Sequence, residues 1–407
     1  MIQTSVQKEV FNQKLEFVEL CKKDFLHRES DSLSESFLSS PLIKIVLGPR
    51  RAGKSTFCIQ SLKGKKVAYL NFDNQILSKA LHAEIMDSLN STYDDVGYYF
   101  FDEIQNLNDW ELLVNSLHRI GKNILVTGSN SKLLSRELAT ALTGRHVPIY
   151  IFPFSYSEFL KAKGTARNFE TLNAYIKNGG YPELIHNHIP NYLNTLIDSL
   201  ILKDIVDRYR LRNITDLQNL TDYLLGNPGL TTTLASLKKT LGLKSTTTVA
   251  KYISNVEDVF AIIKLERFTL KQKERFTGYK KIYPIDTGYI EVKRRKINSE
   301  EGRVFESFVA IELYKKSKKE GTVLYYYQNK NKKEVDFILV KNSKVLECAQ
   351  VCTDLNVNNY RREIDSLFSA GKELECPDLT IFVNSCGAFA FKYAEDKKIK
   401  VKQIENI

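Results

Sequence analysis

The stretch Gly48-Pro-Arg-Arg-Ala-Gly-Lys-Ser-Thr56 follows the apolar run Ile43–Leu47 and matches the pattern G-x-x-x-x-G-K-[ST] at every fixed position. In this pattern the glycines let the backbone approach a polyphosphate, and the next helix directs its positive dipole end at the anion. Lys54 would then reach the β- and γ-phosphates, and Ser55 would bind Mg²⁺. The stretch predicts a strand, a loop and a helix that bind ATP or GTP. The residues expected around the phosphates are Gly48, Pro49, Arg50, Arg51, Ala52, Gly53, Lys54, Ser55 and Thr56.

A second apolar run, Tyr98 to Phe101, ends in two carboxylates about 50 residues after the loop. Asp102 is predicted to hold Mg²⁺ through water. Glu103 is predicted to polarise the water that attacks the γ-phosphate. An acidic pair alone is a weak signal, because most such pairs are solvated. At this distance from a complete phosphate-binding loop, the pair indicates a catalytic carboxylate.

A third candidate strand, 123–127, runs into the small polar residues Gly128 to Ser131. Thr127 is predicted to sense the γ-phosphate, with Ser129 and Asn130 behind it. The alternative is an ordinary turn, since turns favour the same residue types.

The composition indicates several folded domains. The chain of 407 residues is longer than a single hydrophobic core usually accommodates, and 43% of its residues are hydrophobic. The formal charge of +11 favours double-stranded DNA or another polyanion as partner. The alternative explanation is that the charge only keeps the protein soluble. Six dispersed cysteines, and no apolar run long enough for a membrane span, predict a cytoplasmic protein with no membrane association.

The order of these motifs resembles a widespread group of prokaryotic AAA+-like ATPases. Further shared stretches are Leu-Thr-Gly-Arg145, Pro153 to Phe159 and Gly179-Gly-Tyr-Pro-Glu183. The resemblance implies ATP and Mg²⁺ as cofactors. It implies Arg145 as an arginine finger for a neighbouring subunit, or as an intramolecular phosphate contact. It also implies an α/β P-loop core with a carboxyl-terminal domain like that of restriction endonucleases. The domains expected are an ATPase core at 1–160, a helical lid at 161–213, a winged helix at 214–290 and a nuclease-like domain at 291–407.

Two short helices after residue 230 outline a helix-turn-helix. The first ends at Gly242, the second is capped by Ser245, and two strands with a basic connection would form the wing. Thr246, Thr247, Lys251, Tyr252 and Asn255 are expected to face outward. Such a surface predicts DNA contact, although winged helices also bind proteins. The residues predicted to contact DNA are Thr246, Thr247, Lys251, Tyr252, Lys271 and Lys273.

The last part resembles the PD-(D/E)xK nuclease core. Glu306 and Asp336 stand where that family has its first two carboxylates, but Gln350 replaces the third and no lysine follows it. Sliding the register to Glu347 restores a carboxylate on the opposite strand face. This departure predicts a weak second metal site at Glu306, Asp336 and Gln350.

Three functions remain open at this point. The first is a Mg-ATP-driven, DNA-associated ATPase whose nucleotide state moves the lid and the winged helix. The second is an ATP-regulated, metal-dependent nuclease of a mobile-element or defence system. The third is an ATP-toggled switch that recruits a protein partner or another copy of the chain.

Overall fold

The computed structural model describes residues 4–30, 34–131, 144–187, 189–269, 279–294, 301–329 and 333–407. The chain divides into two compact units. The first comprises Met1–Glu158 with Asp258–Phe260, and the second comprises Phe159–Glu257 with Ala261–Ile407.

The first unit is built on a five-stranded parallel sheet. Its strands lie in the order β2-β3-β4-β1-β5. They are β1 (Ile43–Leu47), β2 (Val67–Asn71), β3 (Tyr98–Asp102), β4 (Asn123–Gly128) and β5 (His146–Tyr150). The helices are α1 (Ser5–Lys22), α2 (Ser34–Ser39), α3 (Lys54–Leu62), α4 (His82–Thr92) and α5 (Trp110–Arg119), with α6 (Tyr156–Lys163) running on into the second unit.

The central strands are apolar because both faces of the sheet are covered. All five residues of β1 are buried, as a parallel strand between helical layers requires. One core packs α1 and α3 against the sheet through Phe17, Phe57, Tyr69 and Phe100. Because all five strands are parallel, the segments that follow β1, β3 and β4 emerge at one edge of the sheet, where ligands bind in such folds.

The second unit begins with helices and a hairpin. The helices are α7 (Phe169–Asn178), α8 (Pro182–His186), α9 (Tyr192–Ser199), a π-helical continuation (Leu200–Asp207), α10 (Ile214–Gly226), α11 (Leu234–Leu241) and α12 (Thr246–Asp258). The antiparallel hairpin of β6 (Ile262–Glu266) and β7 (Lys280–Pro284) follows, then α13 (Gly288–Lys293).

A second sheet, of order β12-β11-β10-β9-β8, completes this unit. Its elements are α14 (Glu301–Glu320), β8 (Val323–Gln328), β9 (Glu334–Lys341), β10 (Lys344–Leu355), α15 (Tyr360–Glu373), β11 (Asp378–Cys386), α16 (Ala388–Asp396) and β12 (Lys400–Gln403). Strands β8 to β10 are antiparallel neighbours, while β11 and β12 run parallel to β10. The α/β class is confirmed, and the division into lid, winged helix and nuclease-like domain stays a prediction.

The break at Gly179 joins two parts of the second unit. The Asp286 carboxylate accepts hydrogen bonds from the Gly180 N–H (2.8 Å) and the Gly288 N–H (2.9 Å). A Cβ atom at Gly179, whose φ is +77°, would lie 2.0 Å from Asp286 Oδ1. Tyr181 and Tyr289 stack, and their hydroxyls are 2.6 Å apart. The segment between α7 and α8 therefore anchors both helices to α13.

Candidate nucleotide site

The loop after β1 is shaped by Gly48. Its φ is +150°, and an added Cβ would lie 1.9 Å from the Ile151 carbonyl oxygen. Backbone from the end of β5 occupies that position, so a larger residue would displace the loop. Gly53, with φ +92°, directly precedes α3 and places the first turn of this helix after the loop.

Lys54 is buried at the start of α3. Its ammonium donates to the Pro49 carbonyl at 3.1 Å and lies 3.5 Å from Glu103 Oε1. The lysine thus spans the loop and faces the catalytic carboxylate predicted from the sequence. The Lys54 ammonium, at the first turn of a helix and beside a glycine-rich loop, is placed to bind a polyphosphate.

Asp102 is the centre of a buried hydrogen-bond network. Its Oδ1 accepts from the Ser55 hydroxyl (2.9 Å) and from the Thr127 hydroxyl (2.5 Å). Burial and the neighbouring charge of Glu103 raise the pKa of Asp102 to about 6, against the hydrogen bonds that lower it. A hydroxyl and a carboxylate in contact are the oxygen donors that Mg²⁺ takes beside substrate phosphates. Ser55 and Asp102 therefore fit a Mg²⁺ ion.

Glu103 follows in a left-handed backbone conformation, with φ +50°. Its Oε2 accepts from Gln105 Nε2 (2.5 Å) and from the Ser129 hydroxyl (3.1 Å). Burial opposes ionisation of Glu103, but the charges of Lys54 and Arg50 and these hydrogen bonds outweigh it and lower its pKa. Glu103 is thus an ionised carboxylate held in a strained, fully specified position.

The structure assigns Thr127 a contact that the sequence reasoning missed. Its hydroxyl donates to Asp102 and accepts from the Glu103 N–H at 2.9 Å, and the side chain is completely buried. Both hydrogen-bonding functions of the hydroxyl are therefore used within the acidic pair. Thr127 thus links Asp102 to the backbone of Glu103, and its role as a phosphate sensor stays a prediction.

Arg28 and Glu158 form a buried ion pair that supports the phosphate-binding loop. The sequence predicted a role for neither residue. The Arg28 guanidinium donates to the carbonyls of Ala52 and Phe152, each at 2.6 Å, and to both oxygens of Glu158 at 3.2 and 3.1 Å. Burial opposes the charge of Glu158, but Arg28 and backbone hydrogen bonds hold its pKa below the usual range. A contact between residues 130 positions apart leaves no local sequence pattern.

Arg145 lies at the other end of the sheet. It precedes β5, in which His146 pairs with the first residue of β1 while Tyr150 pairs with the last, Leu47. The five residues of β5, about 17 Å of strand, thus separate Arg145 from the loop, and its side chain is exposed. This geometry contradicts an intramolecular phosphate contact. A role toward a neighbouring subunit stays a prediction.

The predicted DNA surface is only partly exposed. Thr246, Thr247 and Lys251 are exposed on α12, whereas Tyr252 is 6% exposed and Asn255 is 2% exposed. The outward orientation predicted for those two is wrong. Tyr252 lies three residues after the buried Val249, so it shares the apolar face of the helix. Lys271 and Lys273 lie outside the described residues.

The second predicted metal site contains a cation of its own. Glu306 and Asp336 both contact the Lys281 ammonium, which comes from β7. Gln350 is occupied elsewhere, because its Oε1 accepts from the Asp336 N–H (3.2 Å) and its Nε2 donates to Glu363 (2.9 Å). Glu347 faces away and pairs with Lys316 at 2.6 Å. The cation beside Glu306 and Asp336 is thus a lysine from a distant strand, which the sequence did not predict.

Across the described ranges, no group of three or more His, Cys, Asp and Glu side chains is arranged to hold a metal ion. In the same part of the chain, every helix is too short or too polar to cross a membrane.

Three family models match successive parts of the chain. Residues 40–160 match an AAA domain, residues 169–296 a domain of unknown function (DUF8612) and residues 301–349 a domain of unknown function (DUF4143). The first match covers the nucleotide site, so this region is an AAA-type ATPase domain. The match to DUF4143 leaves the resemblance to nucleases a prediction.

Relatives match along most of the chain. An uncharacterised protein of Haemophilus influenzae is 29% identical over 81% of this chain and 87% of its own length. The Walker-type ATPase PABY2304 of Pyrococcus abyssi is similar in structure, with 16% identity and a TM-score of 0.46, over 67% of this chain and 97% of that one. The uncharacterised protein MJ1544 of Methanocaldococcus jannaschii is 32% identical over 83% of this chain and 81% of its own length. The chain therefore belongs to the same family as MJ1544, and its residues 40–160 form an AAA domain.

Proposed function

We propose that the protein binds and hydrolyses ATP with Mg²⁺ and that its nucleotide state acts on DNA-associated parts of the chain. The observation that carries the proposal is the meeting of Lys54, Ser55, Asp102 and Glu103 at one sheet edge, linked through Thr127.

Each side chain has a role in this reaction. Mg²⁺, when bound, neutralises charge on the phosphates. Ser55 and Asp102 would hold it, and Lys54 would bind the β- and γ-phosphates. Glu103 would orient the attacking water and accept its proton, for which its lowered pKa keeps it ionised. Because Lys54 also faces Glu103, binding of a polyphosphate would draw the lysine away from that carboxylate.

Binding is tested with a fluorescent ATP analogue in Mg²⁺ buffer. Lys54→Ala should lose at least tenfold in affinity. Lys63→Ala, which removes a lysine just beyond α3, should bind like the wild type. Equal affinity in Lys54→Ala and the wild type would contradict the assignment of the loop.

DNA association rests on weaker support, the charge of +11 and the exposed Thr246, Thr247 and Lys251 of α12. Lys251→Ala should weaken binding to double-stranded DNA and reduce its salt dependence by about one phosphate contact. Lys177→Ala, at an exposed position on α7, serves as the control. Unchanged DNA affinity in Lys251→Ala would remove α12 from the proposal and favour the protein-partner switch.

A further inference from the structure

Lys281 is enclosed by carboxylates from two other elements. Its side chain is 4% exposed, and its Nζ lies 2.6 Å from Glu334, 3.0 Å from Glu306 and 3.2 Å from Asp336. Lys281 belongs to β7, Glu306 to α14, and the other two carboxylates to β9. One ammonium thus joins the hairpin, a helix and the second sheet.

Other hydrogen bonds fix the same carboxylates. Glu306 Oε1 also accepts from the Tyr283 hydroxyl at 2.5 Å, and Asp336 Oδ2 accepts from the Val351 N–H at 3.0 Å. Gln350 is held between Asp336 and Glu363. The cluster is therefore a closed network in which the lysine is the central cation.

The Lys281 ammonium occupies the centre of the three carboxylates, at distances longer than a divalent ion takes. The three N–O separations run from 2.6 to 3.2 Å, whereas Ca²⁺ binds oxygens at about 2.3–2.6 Å and Mg²⁺ at about 2.0–2.1 Å. A divalent ion bound by the same three carboxylates would also lie within contact distance of the Lys281 ammonium. In a buried site such like charges repel strongly.

We propose that Lys281 is the resident cation of this cluster: it neutralises Glu306, Glu334 and Asp336, which with the lysine in place are not arranged to hold a metal ion. Metal and lysine then exclude each other. The cluster ties the β6–β7 hairpin to the second sheet without a metal ion. Residues predicted to belong to separate winged-helix and nuclease-like domains thereby share one buried network.

The proposal predicts that removing the lysine creates a calcium site. Thermal unfolding of the full chain is followed without nucleotide, with and without CaCl₂, for wild type, Lys281→Ala, Lys281→Met and the double variant Lys281→Ala/Asp336→Asn. Calcium should leave the wild-type Tm unchanged. It should raise the Tm of Lys281→Ala by about 5–10 °C at 100 times its Kd, and the added Asp336→Asn should abolish the rise. Lys281→Met should respond less, since its side chain fills the space.

Two results would overturn the proposal. One is a calcium-induced rise in the wild-type Tm that Asp336→Asn removes, because metal and lysine would then coexist. The other is a folded Lys281→Ala protein whose Tm does not respond to calcium. If Lys281→Ala does not fold, the test uses only the wild type and Asp336→Asn. A Tm that calcium leaves unchanged in both proteins supports the proposal.

Discussion

At the scale of single residues, Thr127 connects Asp102 to Glu103. Its hydroxyl donates to Asp102 and accepts from the backbone of Glu103. Replacing threonine by valine keeps the volume but loses both hydrogen bonds. Since Glu103 sits in a strained left-handed conformation, loss of its N–H acceptor should let it move away from the reacting water.

We therefore expect Thr127→Val to lower kcat for ATP hydrolysis about 10- to 100-fold, because a displacement near 1 Å can have that effect. Thr127→Ser keeps the hydroxyl and is the matched control, with a kcat near the wild-type value. Steady-state hydrolysis assays measure both. A Thr127→Val enzyme with wild-type kcat would show that the hydroxyl does not position the pair.

The elements around the loop depend on one buried ion pair. Arg28, in the segment after α1, donates to the loop carbonyl of Ala52 and to the Phe152 carbonyl after β5, and Glu158, in α6, accepts from Arg28. Glu158→Gln would leave the guanidinium buried without its countercharge. Breaking such a pair costs about 3–5 kcal/mol.

Glu158→Gln should therefore lower the Tm of the full chain at pH 7. The pKa of Glu158 is held below its ordinary value of 4.5, so the stabilisation is present above that pH and is lost as the pH falls through the lower, folded-state pKa. The Tm difference between variant and wild type should accordingly shrink below pH 4.5. Glu19→Gln, in an exposed pair with Lys22, should change the Tm little at either pH. A pH-independent difference would contradict the assignment.

The junction of α7, α8 and α13 depends on Asp286. Asp286→Ala would leave the N–H groups of Gly180 and Gly288 buried without acceptors, which costs about 1–3 kcal/mol for each. We expect a correspondingly lower Tm, measured by calorimetry. Asp198→Ala, at an exposed position of α9, is the control. Equal Tm values for Asp286→Ala and the control would show that the junction contributes little.

The strands of the first sheet were predictable because each is an apolar run next to a motif. The runs predicted at 43–47, 98–101 and 123–127 begin at the first residues of β1, β3 and β4, and the two carboxylates lie at the end of β3 as expected. Pairings between distant positions were not predictable. Arg28 with Glu158 and Lys281 with Asp336 join residues far apart in sequence, which periodicity cannot detect. Tyr252 was misplaced because it shares the buried face of α12 with Val249, three residues before it.

At the scale of the whole molecule, the position of Arg145 bears on whether several copies of the chain assemble. It lies at the amino end of β5, away from the loop of its own subunit. If it completes the site of a neighbour, hydrolysis per subunit should rise with protein concentration, and Arg145→Ala should lower kcat at high concentration only. Arg119→Ala, at the exposed end of α5, is the control. A rate per subunit that is constant over a wide dilution series would contradict action in trans.

The central claim is that this AAA domain hydrolyses ATP through the site of Lys54, Asp102 and Glu103. The most direct measurement is Mg²⁺-dependent ATP hydrolysis by the wild type beside Glu103→Gln and Lys54→Ala, with ATP binding measured in parallel. We predict hydrolysis by the wild type and a loss of at least 100-fold in both variants, with binding retained only in Glu103→Gln. Hydrolysis by Glu103→Gln at the wild-type rate would contradict the account.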